Sequence, residues 1–104
     1  MTQFVVYANA DAASRKSIPS WLNVQSDLIE TADSRVVIPM VTPERAGSII
    51  QRLMPELVVA GKRMVMDTAQ ITNVPLQMLG KPVADLSDDR LVIIDAIDML
   101  THGI

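Results

Sequence analysis

Residues 91–104 read Leu91-Val92-Ile93-Ile94-Asp95-Ala96-Ile97-Asp98-Met99-Leu100-Thr101-His102-Gly103-Ile104. Apolar side chains at this spacing cover most of the circumference of a helix, and only Asp95, Asp98 and His102 form a narrow polar stripe. An apolar arc this wide is more than contact with a single core requires. The helix is therefore either enclosed within its own domain or shared between two copies. A homodimer is favoured, because a chain of 104 residues has little material to cover a helix on both sides.

The ends of this helix are also marked in the sequence. Ser87 or Asp88 is suited to act as the N-cap, and Asp88 and Asp89 place negative charge at the positive end of the helix dipole. Gly103 stands where a glycine commonly ends a helix. The apolar pattern continues to within a few residues of Ile104. We therefore expect the final segment to be docked or in contact with a partner, because unpaired chain ends usually fray.

The chain ahead of the helix predicts short β-strands. Branched and aromatic residues cluster in runs that turn residues separate. The predicted strands are residues 4–7, 21–25, 35–38, 57–59, 63–67, 74–79 and 83–86. Residues 60–62 and 80–82 contain glycine between two such runs, which predicts two hairpins. Pro39 indicates an edge strand or a bulge. Many short strands followed by one helix favour a small antiparallel barrel or two curled sheets.

Residues 42–53 give a mixed signal. Thr42 as N-cap and Pro43 at the first helical position favour a helix. Gly47 weakens that prediction by about 1 kcal/mol relative to alanine. Residues 8–20 are small and polar and predict an exposed loop closed by Pro19.

Composition sets bounds on the function. The length predicts one domain over residues 1–104, and 49% apolar residues indicate a folded chain. The chain has no cysteine and one histidine, so neither a disulfide nor a two-histidine metal site is expected. The net charge of -3 argues against direct nucleic-acid binding. We expect no membrane span, since no apolar run approaches roughly 18 residues. The first residues also lack the features of a signal peptide. These two observations together predict a cytoplasmic protein.

No catalytic constellation stands out. Ser87, Asp98 and His102 are the residue types of a hydrolase triad, but Asp98 and His102 lie one helical turn apart. An exposed acid–imidazole pair on the polar stripe explains them more simply. The glycines are scattered and form no phosphate-binding loop. We therefore expect a protein that is not an enzyme and that has no catalytic residues, metal or cofactor.

Five short motifs occur in one order along nearly the whole chain. They are Gln3-Phe4-Val5-Val6-Tyr7, Val24-Gln25-Ser26-Asp27-Leu28-Ile29, Val37-Ile38-Pro39, Val83-Ala84-Asp85-Leu86-Ser87 and Gly103-Ile104. Together they resemble the CcdB family, the toxins of plasmid and chromosomal toxin–antitoxin modules. The resemblance implies a CcdB/MazF-like fold: an SH3-like antiparallel barrel with a small extra sheet, one C-terminal helix and a homodimer. The family fold assigns much of residues 42–53 to loop and strand, and this expectation replaces the helix there.

The resemblance also implies a function. Family members stabilise plasmid maintenance by trapping DNA gyrase, a topoisomerase, through its A subunit, which leaves broken DNA. A small, partly disordered CcdA-like antitoxin neutralises the toxin and helps it to regulate transcription of its own operon. Carried over by motif, the target-binding residues are His102, Gly103, Ile104, Thr101, Asp98, Leu28 and Ile29. Gly103 would let the backbones approach closely, and Ile104 would add apolar area and a carboxylate for an arginine.

The end of the helix departs from the family pattern. His102 stands where relatives have tryptophan, Thr101 where they have phenylalanine, and Asp98 where they have asparagine. The face of a tryptophan over an arginine contributes about 0.5–2 kcal/mol. The smaller histidine ring offers less contact, so we expect weaker poisoning of an ordinary bacterial gyrase.

An antitoxin is expected at the loops of residues 8–20 and 41–48, which border the family's partner surface. The candidate residues are Ser14, Arg15, Thr42, Glu44 and Arg45. Three functions stay open. The first is a toxin adjusted to a different gyrase or topoisomerase surface. The second is a homologue that has lost gyrase poisoning but still binds an antitoxin. The third is a toxin ribonuclease of the same fold, for which no catalytic constellation is apparent.

Overall fold

The computed structural model describes residues 1–103. In that range the chain forms seven strands and two α-helices. The strands are β1 (Val5–Asn9), β2 (Ser20–Asn23), β3 (Ser34–Val41), β4 (Glu56–Val59), β5 (Lys62–Met66), β6 (Thr72–Pro75) and β7 (Leu79–Asp85). The helices are α1 (Pro43–Ala46) and α2 (Arg90–His102). The predicted fold class, mainly β with a C-terminal helix, is confirmed.

The strands form one curled antiparallel sheet with the order β4-β5-β3-β2-β1-β7. It has the shape of a half-barrel. In place of a separate small sheet, β6 pairs with the first half of β3, from Ser34 opposite Pro75 to Val37 opposite Thr72. The second half of β3 pairs with β5, where Met40 lies opposite Met66.

Pro39 lies inside β3, opposite Trp21 of β2, and not at the predicted sheet edge or bulge. The carbonyl oxygen of Pro39 accepts a hydrogen bond from the N–H of Asp67 at 2.9 Å. The N–H and C=O groups of a residue in a strand point to the same side. The nitrogen of Pro39 therefore faces the gap between β6 and β5, where a missing N–H breaks no ladder hydrogen bond.

The hairpin at residues 60–62 is confirmed. β4 and β5 are joined by Ala60 and Gly61, whose φ angles are 50° and 82°. Two consecutive residues with positive φ form the tight turn that matches the twist of paired strands.

The hairpin predicted at residues 80–82 is wrong. These residues lie within β7, which pairs with β1, whereas β6 pairs with β3. Gly80 is needed there for space, because a Cβ at this position would lie 2.9 Å from the carbonyl oxygen of Ala8. Pro82 is compatible with this strand because β7 is a sheet edge.

Residues 42–53 contain one helical turn followed by a loop. The expected loop is therefore found over residues 47–53, whereas the expected strand is wrong. The hydroxyl of Thr42 accepts a hydrogen bond from the N–H of Arg45 at 3.3 Å, and Pro43 begins α1. Gly47, with φ of 67°, ends it. Residues 47–55 then run without a strand to β4.

The core lies between the concave face of the sheet and the first half of α2. Ile93 and Ala96 are fully buried there, with Phe4 and Leu86 beside them. Phe4 connects the elements, because its N–H donates to Asn23 at 2.7 Å and its carbonyl accepts from Leu86 at 2.8 Å. A second cluster lies under β6. It comprises Tyr7, Trp21, Val37, Val74 and Leu79.

The start of α2 differs from the predicted N-cap at Ser87 or Asp88. Ser87–Asp89 form a 3₁₀ turn, and α2 begins at Arg90 after Asp89, whose side chain makes no capping bond. The carboxylate of Asp85 accepts the N–H of Ser87 at 2.9 Å, which lowers the pKa of Asp85. The predicted helix end is confirmed, since Gly103 has φ of 75° and its N–H donates to Met99 at 2.8 Å.

Candidate functional site

The end of α2 lies outside the core. Ala96 is the last buried residue of the helix, and Thr101, His102 and Gly103 are all exposed. We call these three residues the helix tip. Ile104, which is also expected at the target-binding site, lies outside the described residues.

Thr101 holds the ring of His102 in place. The Thr101 hydroxyl lies 3.1 Å from the carbonyl oxygen of Ile97 and 2.8 Å from His102 Nδ1. A hydroxyl that donates to the helix carbonyl can at the same time accept a hydrogen bond from the Nδ1–H of His102. Thr101 and His102 thus form a hydrogen-bonded pair at the end of the helix.

An open cleft of about 470 Å³ lies next to the helix tip. Arg52, Asp95, Asp98 and His102 line it. Arg52 binds Asp95 with two parallel hydrogen bonds, Nε to Oδ2 at 2.8 Å and the terminal nitrogen to Oδ1 at 2.9 Å. This bidentate contact lowers the pKa of Asp95. Arg52 was not predicted from the sequence, because a contact across 43 residues leaves no local signal.

The residues of a hydrolase triad do not meet. Ser87 precedes α2, whereas His102 ends it, and a helix of this length spans ~18 Å. Within residues 1–103, no ion pair joins Asp98 to His102, and the imidazole pairs with Thr101 instead. The expected acid–imidazole pair is therefore wrong.

Leu28 and Ile29 lie on the loop between β2 and β3. Leu28 is 91% exposed and Ile29 is 60% exposed. This loop is bonded to the segment that leads into β1, since Asp27 accepts the N–H of Gln3 at 2.8 Å. Phe4, the next residue, bonds to the segment ahead of α2. Through these hydrogen bonds the loop that carries Leu28 and Ile29 is linked to the segment ahead of α2.

The five residues expected to bind an antitoxin lie at one end of the sheet. The pairing of Ser20 with Met40 brings the loop of residues 10–19 next to the end of β3, where α1 follows. Arg15, Glu44 and Arg45 are exposed, whereas Ser14 and Thr42 are half-buried. This surface is polar and carries both signs of charge.

The sequence model of the CcdB protein family matches residues 3–103. The chain belongs to the CcdB family, and thus to the toxins of toxin–antitoxin systems. The match spans the half-barrel, both loops and the helix tip as far as Gly103.

Two features are absent from residues 1–103. None of the helices there is both long and apolar enough to cross a membrane. Nor do three acidic or histidine side chains in this range gather closely enough to hold a metal ion.

Proposed function

We propose that this protein is a toxin that binds the A subunit of DNA gyrase and traps the complex with cleaved DNA. The observation that carries the proposal is the exposed end of α2, in a chain that matches the CcdB family up to Gly103. A helix end that leaves its own core is available to a second protein. The toxin itself would need no catalytic group, because gyrase performs the cleavage.

The chemistry of the cleft supports a basic contact on the target. Asp98 is exposed one turn before His102, while Asp95 is already bound to Arg52. A free carboxylate beside an aromatic ring is suited to an arginine, which can pair with the first and stack on the second. The imidazole has a smaller face than tryptophan, so we expect weaker poisoning than in tryptophan-bearing relatives.

We also propose that the protein acts as a homodimer held by α2. The helix exposes large apolar side chains that the core does not cover, including Leu91, which is 74% exposed, Val92 and Ile94. A second copy would bury them. Leu91→Asp, at a position that the core does not cover, should then give folded monomers. Sedimentation of a stable wild-type monomer at micromolar concentration would contradict the dimer.

A small CcdA-like antitoxin completes the proposal. It would bind the polar surface of the 10–19 loop and α1, neutralise the toxin and help to repress their shared operon. On co-expression, the toxin should capture the protein encoded by the neighbouring open reading frame. That protein should protect the loops of residues 8–20 and 41–48 from proteolysis. Loops that stay unprotected in a confirmed complex would exclude this placement. The proposed target places the action in the cytoplasm.

One observation favours a second function, an antitoxin-binding homologue that no longer poisons gyrase. Thr101 and His102 are bonded to each other and offer no apolar aromatic surface. Growth after induction separates the two functions. A gyrase toxin should arrest growth and induce the DNA-damage response, and co-expressed antitoxin should relieve both effects. Normal growth with a confirmed antitoxin complex would favour the second function.

A further inference from the structure

We propose that Gln25 is a positioning residue for the target. Its side chain holds the loop between β2 and β3 so that Leu28 and Ile29 form a preformed apolar contact for the gyrase A subunit. The inference rests on the proposed function and extends it to a residue that makes no contact with the target itself.

The side chain of Gln25 spans the loop. It is only 8% exposed. Its Nε2 donates to the carbonyl oxygen of Ile29 at 2.6 Å and to the hydroxyl of Thr31 at 3.2 Å. Its Oε1 accepts the N–H of Val36 at 3.0 Å. One buried carboxamide thus ties both sides of the loop to each other, and all its bonds go to the loop or to the strand that follows.

Other hydrogen bonds fix the backbone on either side of the two apolar residues. Ser26 accepts the N–H of Leu28 with its hydroxyl at 3.1 Å and the N–H of Ile29 with its carbonyl at 3.0 Å. Arg35 donates to the carbonyl of Thr31 at 2.7 Å. The segment is therefore held at its start, at its centre and at its end.

This order contrasts with what the loop exposes. Leu28 and Ile29 are adjacent, large and apolar, and most of their surface faces water. Two such side chains would gain by turning inward, but the bonds of Gln25 keep the backbone in an outward geometry. A contact that is already ordered loses less conformational freedom when it binds. Because Leu28 and Ile29 are apolar, we expect their partner to be an apolar patch on a protein surface.

A double-mutant cycle separates positioning from mere structural support. Gln25→Glu keeps the size of the side chain but removes both Nε2 donors. The second change is Leu28→Ala with Ile29→Ala, at exposed positions. Affinity for the purified gyrase A subunit is measured for the four proteins. If Gln25 acts through the apolar pair, Gln25→Glu should weaken binding about tenfold in the wild-type background and less than about twofold in the alanine background.

The opposite results are equally clear. The inference would be overturned if Gln25→Glu lowered the affinity equally in both backgrounds or did not lower it at all. It would also be overturned if the two alanine changes did not lower the affinity. Thr68→Val is the matched control, because it also removes a buried hydrogen bond, from Thr68 to the carbonyl of Leu53 at 2.6 Å, without touching this loop. It should lower the melting temperature and leave the affinity within about twofold.

A milder variant covers the case in which Gln25→Glu fails to fold. Thr31→Val changes an exposed side chain and removes one of the two Nε2 acceptors. It should weaken binding about two- to threefold in the wild-type background alone. A loss that is equal in both backgrounds would contradict positioning. A wild-type protein that does not bind gyrase would remove the proposed function and this inference together, whereas binding with an additive cycle removes only the inference.

Discussion

Two loops of this molecule are held in the same way but expose opposite chemistry. The loop of residues 10–19 is held by Asn9, which is 4% exposed, and the loop of residues 24–33 by Gln25. Asn9 Nδ2 donates to the hydroxyl of Ser14 at 3.0 Å and to the carbonyl of Ile18 at 2.9 Å. Its Oδ1 accepts the N–H of Asp11 at 2.8 Å. In each loop, one buried carboxamide bonds on both sides of the turn.

The difference lies in what each loop presents. The first loop exposes Arg15 beside half-buried Ser14 and lies next to α1, whereas the second exposes Leu28 and Ile29. A polar surface of mixed charge suits recognition through hydrogen bonds and ion pairs, and an adjacent apolar pair suits burial against a target. The comparison indicates that ordering a loop and choosing its partner are separate properties of the sequence.

The largest effect is expected from reversing the chemistry of the second loop. Leu28→Asp with Ile29→Asp should weaken gyrase binding about a hundredfold or more, because the contact would bury two charges in place of apolar area. Antitoxin binding should stay the same. Titrations with the gyrase A subunit and with the antitoxin measure both. The melting temperature should change little, since both positions are exposed. Parallel loss of both partners would show that the loops are not independent.

Removing the side-chain hydrogen bonds of Asn9 should affect antitoxin binding and not gyrase binding. Asn9→Ala removes three hydrogen bonds and should cost about 1–3 kcal/mol of unfolding free energy. It should weaken antitoxin binding and leave gyrase binding unchanged. Denaturant unfolding and the same two titrations test this. Thr68→Val is the matched control, because it removes a buried hydrogen bond outside this loop and should lower the free energy of unfolding without weakening antitoxin binding.

The elements that could be predicted from the sequence are those whose conformation depends on residues close to them along the chain. The turn at Ala60 and Gly61 and the helix end at Gly103 depend on local backbone conformation. The predicted hairpin at residues 80–82 failed because pairing of β7 with distant β1 outweighs a local turn signal. The prediction of a sheet edge at Pro39 was wrong. Pro39 is tolerated inside the sheet because the strand that pairs with β3 changes there from β6 to β5.

The candidate site divides in the same way. Leu28 could be found because it lies within a short family motif, and His102 because it directly precedes another. Arg52 could not, because its partner Asp95 is distant along the chain. The proposed role of Gln25 was also missed. Gln25 stands within a family motif, but its side chain bonds to two backbone groups and one hydroxyl that only the folded loop brings together.

A smaller effect is expected at the helix tip. Gly103→Ala should destabilise the last turn of α2 by about 1–2 kcal/mol, because alanine is strained at φ of 75°. Open space surrounds the position, so a clash would not explain a loss. Amide hydrogen exchange at residue 103 should become faster, while exchange at Ile93 should not change. Unaltered exchange at both positions would contradict a role for glycine in ending the helix.

The smallest effect concerns the ion pair beside the tip. Arg52 lowers the pKa of Asp95, so the folded state favours the carboxylate. The resulting stabilisation is present above the unfolded pKa of about 3.9 and is lost as the pH falls through the lower pKa of the folded state. Arg52→Gln should therefore reduce stability slightly at pH 7, and the reduction should shrink as the pH falls into the acid range. Both residues are exposed, so screening by salt should diminish the difference. A difference that does not vary with pH would exclude the ion pair as its cause.

The measurement that tests the central claim most directly is gyrase-mediated DNA cleavage with purified protein. Three forms are compared over a range of concentrations: the wild type, His102→Trp and a form without Gly103 and Ile104. We expect weak stabilisation of cleaved DNA by the wild type, stronger stabilisation by His102→Trp, and none by the shortened form. Strong cleavage that is the same for all three would show that the end of α2 is not the gyrase-binding site.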